Sequence, residues 1–189
     1  MNNRVCLAVS PGWNRLLGMS PKLWTTLDTT PARKAISQTA LKALLKRSNY
    51  KLEHAIITSR ALFDAYKMSY LTRTCKKLKS LEIRGVGTIG NSLTAALPDA
   101  TSLETLTVSD KCEIGLGSVQ LALRTCQKSI KHAAFLCIKD ARSGHVLGRW
   151  NRFEALQSIS LRSDDGASLD FVSQNCLGWQ LPTCNIDCI

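Results

Sequence analysis

The stretch Leu78-Lys-Ser-Leu-Glu-Ile83 places three aliphatic residues in the pattern apolar-x-x-apolar-x-apolar. Leu81 and Ile83 stand on either side of a polar residue, and this alternation is typical of a strand that is buried on one face. The same pattern recurs at Leu52-Ala55-Ile57, Leu78-Leu81-Ile83, Leu103-Leu106-Val108, Ala133-Leu136-Ile138 and Leu156-Ile159-Leu161. The sequence therefore predicts an internal repeat with one strand in each unit.

The spacing of these triplets indicates the class of repeat. Their third apolar positions are 26, 25, 30 and 23 residues apart, and the 30-residue step requires an insertion, which residues 129–132 can supply. The intervening segments Arg60–Leu71 and Val119–Arg124 carry apolar residues at helical spacing. A period of about 20–29 residues with a strand and a helical return is typical of leucine-rich repeats. We expect an α/β fold, a short leucine-rich-repeat solenoid of about five strand–helix units over residues 31–170.

The first helix of this array is expected within residues 32–47. Ile36, Ala40 and Leu44 lie on one predicted face, and lysines lie on the other. The lysine-rich face fits a solvent-exposed surface, and a DNA-contacting helix is the alternative.

Composition and charge restrict the classes of partner. The 189-residue chain is 44% hydrophobic and only 6% aromatic, which favours stacked aliphatic layers over a large aromatic core. The net charge of +11 would attract nucleic acid or an acidic protein surface. The basic residues are spread along the chain without a basic arm, so nucleic acid is not favoured. Since about eighteen apolar residues never run together, we expect no membrane span and a cytoplasmic or nuclear location.

Eight cysteines raise the question of disulfides or metal binding. They include no C-x-x-C pair and lie mostly within apolar runs, so we expect reduced, buried thiols. Cys75 and Cys126 each end an Arg-Thr-Cys tripeptide ahead of a predicted strand, where a small apolar side chain fits. No Ser/His/Asp, Cys/His or paired-carboxylate constellation stands out, and we predict a non-enzymatic chain without cofactor or metal.

Three glycines favour a competing interpretation. Gly85, Gly87 and Gly90 follow a predicted strand at the spacing G-x-G-x-x-G, and Asp110 lies about 20 residues further on, as in a dinucleotide-binding unit. Such a unit needs a crossover of about a dozen residues or more, whereas Pro98 ends any helix here early. We therefore interpret the glycines as turn residues at the rim of the array.

The segment ahead of the repeats carries a second pattern of apolar residues. The matching positions are Val9, Ser10, Trp13, Leu16 or Leu17, Leu23, Trp24 and Leu27. This set resembles the C-terminal half of an F-box, and the cysteine-bearing units resemble the leucine-rich repeats of F-box proteins, of the fungal type. The resemblance implies a partial F-box helical segment over residues 1–30, the repeats over 31–170 and an irregular C-terminal tail over 171–189.

The resemblance also implies a function and partners. F-box/leucine-rich-repeat proteins are the substrate-recognition subunits of Skp–cullin–F-box ubiquitin ligases, with the F-box on the Skp-type adaptor and the repeats on the target. The Leu-Pro opening and first helical segment of the F-box have no counterpart here, so weak adaptor binding is expected. The alternatives are a repeat scaffold without a ubiquitin role and a truncated gene product that lacks adaptor binding.

The target surface is predicted from strand periodicity. The residue after the last apolar position of each predicted strand is Thr58, Arg84, Ser109, Lys139 or Arg162, which together would form one column on the concave face. Arginine can hold a carboxylate or phosphate through two parallel hydrogen bonds. We expect no carboxylate in this column and hence an acidic or phosphorylated protein target.

Overall fold

The computed structural model describes residues 24–30, 35–58, 64–85, 87–139 and 155–163, together with the backbone of 183–188. Within this part the chain has a mixed α/β fold, with nine strands in one curled parallel sheet and four α-helices. The strands are β1 (Thr26–Asp28), β2 (His54–Thr58), β3 (Ser80–Arg84), β4 (Gly87–Thr88), β5 (Thr105–Val108), β6 (Cys112–Gly115), β7 (His132–Lys139), β8 (Ser158–Ser163) and β9 (Thr183–Cys188). The helices are α1 (Gln38–Arg47), α2 (Ala65–Thr74), α3 (Gly90–Ala96) and α4 (Leu116–Thr125), and a 3-10 turn covers Leu97–Asp99.

The main sheet runs in the order β1-β2-β3-β5-β7-β8-β9, with every neighbouring pair parallel. The short strands β4 and β6 extend it beside the carboxyl end of β7. Each strand of the main row is added at the same edge of the sheet, next to the strand that precedes it in the row, as the predicted repeat requires. The α/β class with a repeated strand is therefore confirmed.

The pairing register places equivalent residues of successive units side by side. One buried row contains Ala55, Leu81, Leu106, Ala133 and Ile159, and the next contains Ile57, Ile83, Val108, Phe135 and Leu161. A third buried position precedes each strand, at Leu52, Leu78, Leu103, Ile130 and Leu156. These rows form the core layer between the sheet and the helices.

The fourth predicted triplet is wrong in its register, because Ala133 is the second apolar position of its unit rather than the first. Ile130 and Phe135 are fully buried and complete the unit with Ala133, whereas Leu136 is only half-buried. With Phe135 in place, the spacing becomes 26, 25, 27 and 26 residues, and no insertion is needed. The segment from Ala133 to Ile138 is apolar on both strand faces, so alternation could not select the register there.

The helices lie on one side of the sheet and pack against one another in sequence, α2 against α3 and α3 against α4. The Thr72 Oγ1 hydroxyl of α2 donates a hydrogen bond of 2.8 Å to the carbonyl oxygen of Ala96 in α3. A helix is about 10 Å wide, whereas parallel strands are about 4.8 Å apart. Because nearly every strand has its own helix, the helix layer is wider than the strand layer. The sheet must therefore curl so that the helices lie on its convex side.

Helix α1 is shorter than predicted, and the residues on its buried face differ from the predicted ones. Ser37 caps α1 by accepting a hydrogen bond of 3.1 Å from the Ala40 amide. The buried positions are Leu41 and Leu45, while Ala40 is exposed and was wrongly placed on the buried face.

Both ends of the described sheet differ from the predicted boundaries. Leu27, expected in a helical segment, is buried in β1 and pairs with Ala55. The Thr58 amide donates 2.8 Å to Thr29 Oγ1, which fastens β1 to β2. At the other end, Thr183–Cys188 forms strand β9 within the tail that was expected to be irregular. An unpaired strand edge exposes a row of backbone hydrogen-bond donors and acceptors. Strand β1 forms hydrogen bonds with the edge of β2, and strand β9 forms them with the edge of β8.

None of the helices in the described ranges combines the length and the apolar character needed to cross a membrane. Cys75, Cys112 and Cys126 are free and buried, in agreement with the expected reduced thiols, and Cys137 is buried as well.

Candidate functional site

The sheet face opposite the helices, here called the open face, is a candidate binding surface. Strand residues alternate between the core and this face. Five strands, β2, β3, β5, β7 and β8, contribute three residues each to this face, within the strand or directly after it. These residues are His54, Ile56, Thr58, Ser80, Glu82, Arg84, Thr105, Thr107, Ser109, His132, Ala134, Leu136, Ser158, Ser160 and Arg162. All of them are half-buried or exposed.

The amino-terminal row of the open face is polar and made of small side chains and imidazoles. His54, Ser80, Thr105, His132 and Ser158 lie side by side in register. His132 Nδ1 and Ser158 Oγ form a hydrogen bond of 2.8 Å. Hydroxyl and imidazole groups both donate and accept hydrogen bonds, so this row can engage the backbone or polar side chains of a partner.

Arg84 lies at the carboxyl end of β3 and forms a bidentate ion pair within its own strand. Its Nε donates 2.6 Å to Glu82 Oε1, and its Nη2 donates 2.9 Å to Glu82 Oε2. The hydrogen bonds from Arg84 to Glu82 raise the pKa of the guanidinium above its ordinary value. The spacing i, i+2 along one strand face could have revealed Glu82 as a partner from the sequence.

Arg162 occupies the corresponding place in β8 and is also bound within the protein. Its Nε donates 3.0 Å to the carbonyl oxygen of Leu136, and its Nη2 lies 3.8 Å from Asp110 Oδ2. Asp110 stands in the turn after β5, too far along the chain for sequence spacing to indicate the contact.

Lys139 does not belong to the predicted column. It pairs in register with Gly115 of β6, and its Nζ lies 3.9 Å from Glu113 Oε1. Because Phe135 rather than Ile138 fills the core position, the residue that follows it on the open face is Leu136. The placement of Lys139 beside Arg84 and Arg162 was therefore wrong.

The remaining members of the column are Thr58 and Ser109. Thr58 pairs with Arg84 as predicted, and the Ser109 amide donates 3.0 Å to the carbonyl oxygen of Ile83. The column thus reads Thr58, Arg84, Ser109, Leu136, Arg162, with a carboxylate beside each of its two cations. The column itself holds no carboxylate, but Glu82 and Asp110 beside it pair with its two cations, so the expected excess of unneutralised charge is wrong.

A cavity of about 420 Å³ adjoins the carboxyl ends of β2 and β3. Ile57, Met68, Ile83 and Leu93 form much of its apolar wall, and Arg84 stands at its polar side. The cavity therefore lies at the carboxyl edge of the sheet, between the strands and the helices, and reaches the open face only at Thr58 and Arg84.

The three glycines have separate roles in the backbone. Gly85 lies in a bend with φ 132°, and Gly87 begins β4 with φ 118°, both in the region that favours glycine. Gly90 begins α3, and a Cβ there would lie 2.7 Å from Ser118 Oγ in α4. Close packing of two helices thus explains the third glycine, and α3 ends at Ala96 before Pro98, as predicted.

Burial favours the neutral form of three thiols, those of Cys75, Cys112 and Cys126. Burial raises the pKa of Cys75 and Cys112 above the ordinary value of 9.0, and it raises the pKa of Cys126 to about 12. Within the described ranges, His, Cys, Asp and Glu side chains nowhere gather in groups of three or more that could hold a metal ion.

Most of the predicted adaptor-binding residues lie outside the described residues, namely Val9, Trp13, Leu16 and Leu23. Trp24 is half-buried just before β1, and Leu27 is buried within β1. In the register of the sheet, Leu27 lies in the same row as Ala55 and Leu81.

The sequence was compared with models of protein families and with curated proteins, and neither comparison finds a match.

Proposed function

We propose that the chain is the target-recognition subunit of a Skp–cullin–F-box ubiquitin ligase, acts in the cytoplasm or nucleus, and binds its target protein on the open face. The observation that carries the binding role is the row of aligned parallel strands whose described residues have helices on one side and a mostly polar, half-buried to exposed face on the other.

The shape of the molecule supports this role for the open face. A helix layer wider than the strand layer puts the helices on the outside of the curl and makes the open face concave. Extended concave surfaces are what stacked repeats use to bind partners. The polar row from His54 to Ser158 supplies hydrogen-bond donors and acceptors for a partner on this face.

The ubiquitin-ligase role rests on the resemblance of Val9, Trp13, Leu23 and Trp24 to half of an F-box. An acidic or phosphorylated target remains our proposal for the open face. Such a target would bind by taking the place of Glu82 on Arg84 or of Asp110 on Arg162, because both guanidinium groups already have carboxylate partners.

The alternative is a repeat scaffold that binds proteins without any ubiquitin role. Adaptor recovery separates the two functions. We expect the tagged chain to recover purified Skp-type adaptor weakly, and a version extended by a full F-box opening to recover it strongly. Equal recovery by both would show that residues 1–30 suffice for adaptor binding, and no recovery by either would favour the scaffold.

Target binding is tested with matched surface variants. The double variant Thr105→Arg/Ser158→Arg adds two bulky cations to the open face, whereas Thr39→Arg/Asn91→Arg adds the same charge at exposed positions of α1 and α3. We expect a protein captured by the wild-type chain to be lost with the first variant and kept with the second. Equal capture by two well-folded variants would remove the open face from consideration.

A further inference from the structure

A groove of about 560 Å³ lies at the amino-terminal edge of the sheet, away from the open-face column. We call it the amino-edge groove. Its charged lining consists of Lys77, Lys79, Lys128, Lys131, Glu53 and Glu104. Among the described lining residues, four lysines against two glutamates leave a net charge of +2, which favours an anion.

Two of the lysines belong to a ladder of alternating charge. The residues just before strands β2, β3, β5 and β7 are Glu53, Lys79, Glu104 and Lys131, and backbone hydrogen bonds of 2.8 Å join each to the next. Lys79 Nζ lies 3.0 Å from Glu53 Oε2, and Lys131 Nζ lies 3.0 Å from Glu104 Oε2. The ladder neutralises itself, and the hydrogen bond from Lys79 lowers the pKa of Glu53.

The other two lysines carry the excess charge. Lys77 and Lys128 are exposed, and neither has a carboxylate within ion-pair distance among the residues that the structure describes. They stand in the turns that lead into β3 and β7. The turn into β5, which lies between those two strands, contributes the exposed residues Thr101 and Ser102 to the same groove.

We propose that the amino-edge groove binds a phosphorylated segment of a partner protein, with the phosphate between Lys77 and Lys128 above the hydroxyls of Thr101 and Ser102. Strands two positions apart in the sheet are separated by about 10 Å, a gap that the flexible four-carbon stems of two lysines can close around one anion. A phosphate dianion has three strong acceptor oxygens, enough for two ammonium groups and the hydroxyls together.

A protein partner fits the groove better than a nucleic acid. Because Glu53 and Glu104 neutralise Lys79 and Lys131, only Lys77 and Lys128 of the described lining carry excess charge, which suits one isolated phosphate better than the closely spaced phosphates of a polynucleotide. Among the described lining residues no aromatic side chain is present on which a base could stack. This surface is separate from the open face, so the inference stands whether or not the open face binds a target.

The probe is a fluorescein-labelled peptide of Gly and Ala with one central phosphoserine, about ten residues long, and its twin carries serine. We expect the phosphopeptide to bind the full chain at least about tenfold more tightly than the twin, as charge-assisted hydrogen bonds to the phosphate predict. In amide NMR spectra, the largest shifts should occur at Thr101, Ser102 and their neighbours. The variant Lys77→Gln/Lys128→Gln should abolish this preference, because it removes both exposed cations.

The matched control is Lys46→Gln/Lys111→Gln, which removes the same charge from exposed positions outside the groove and should keep the preference. Equal binding of the two peptides would overturn the proposal, as would an undiminished preference in the Lys77/Lys128 variant. Tighter binding of an oligouridine of the same length than of the phosphopeptide, lost in that same variant, would reassign the groove to nucleic acid. None of these results depends on adaptor recovery or on capture by the open face.

Discussion

Phe135 is the largest fully buried side chain among the described residues, and it stands between Val108 and Leu161 in the core row. Its neighbour Leu136 points to the open face, where it is half-buried. The choice between these two residues determines which side chains of β7 reach a partner. It also shifts Lys139 out of line with Arg84 and Arg162.

We predict that Phe135→Ala lowers the free energy of unfolding by about 3–5 kcal/mol, because a buried aromatic ring leaves a cavity that the core cannot fill. Leu136→Ala should cost less than about 1 kcal/mol, since its side chain is already partly in water. Urea unfolding monitored by circular dichroism measures both. A larger loss with Leu136→Ala than with Phe135→Ala would mean that the register of β7 is the other one.

Cys126 should resist alkylation in the folded protein. It is 4% exposed, and burial raises the pKa of its thiol to about 12, so the reactive thiolate is scarce at about pH 8.5. Peptide mapping after iodoacetamide treatment should find Cys126 unmodified without urea and modified in urea, with N-acetylcysteine in the same tube as the reference. Modification of native protein at the rate of N-acetylcysteine would contradict this burial.

The buried thiol of Cys126 also makes the free energy of unfolding depend on pH in the alkaline range. Its pKa in the folded state lies above the ordinary value of 9.0, so the unfolded state loses the proton first as pH rises. The contribution of the buried thiol to stability is present below about pH 9 and is lost between about pH 9 and pH 12.

At the scale of elements, side-chain caps determine where two of the helices begin. Ser37 caps α1, and Asp64 caps α2 by accepting a hydrogen bond of 2.8 Å from the Lys67 amide. This hydrogen bond lowers the pKa of Asp64 below its ordinary value of 3.8. A carboxylate at this position also lies at the positive end of the helix dipole.

We predict that Asp64→Ala destabilises the protein by about 1 kcal/mol at pH 7, whereas Asp64→Asn keeps most of the cap. Because the folded-state pKa is depressed, the advantage of the carboxylate over an amide is present above about pH 4 and disappears as pH falls through the folded-state pKa. Urea midpoints of the wild type and both variants, measured from about pH 7 to about pH 2.5, test this. A pH-independent difference between Asp64→Asn and the wild type would contradict the ionic part of the cap.

At the scale of the whole molecule, the sheet and helix layer share one continuous core. The buried rows run without interruption from β1 to β8, and the helices cover the same side. Each unit buries its aliphatic residues only against its neighbours, so loss of a central unit should affect those on both sides.

We predict that Leu106→Asp unfolds the array, because an unpaired charge cannot be accommodated in a fully buried row. The adjacent Thr105→Asp places the same charge on the open face and should leave a cooperative transition. Thermal melting and gel filtration compare the two variants. A soluble Leu106→Asp variant with a cooperative melt would contradict the shared core.

Several features of the fold were predictable from local patterns. The strands around Leu81, Leu106 and Ile159 were predicted because apolar and polar residues alternate there, and the helical returns because apolar residues recur at helical spacing. Cys75 and Cys126 were placed correctly at the ends of helices α2 and α4. The candidate site was predicted less well. Of its three predicted cations, Lys139 lies outside the column, and Arg84 and Arg162 each have a carboxylate partner.

The strand period, the α/β class and the buried thiols follow from the sequence alone, because each depends on residues a few positions apart. The tertiary structure alone decided that Phe135 rather than Ile138 lies between Val108 and Leu161 in the core row, that Asp110 meets Arg162, and that Lys77 and Lys128 flank one groove. Those outcomes depend on how strands more than about twenty residues apart pair. Parallel pairing brings such distant residues within about 5–10 Å of each other, and a one-residue change of register reverses the face to which each side chain points.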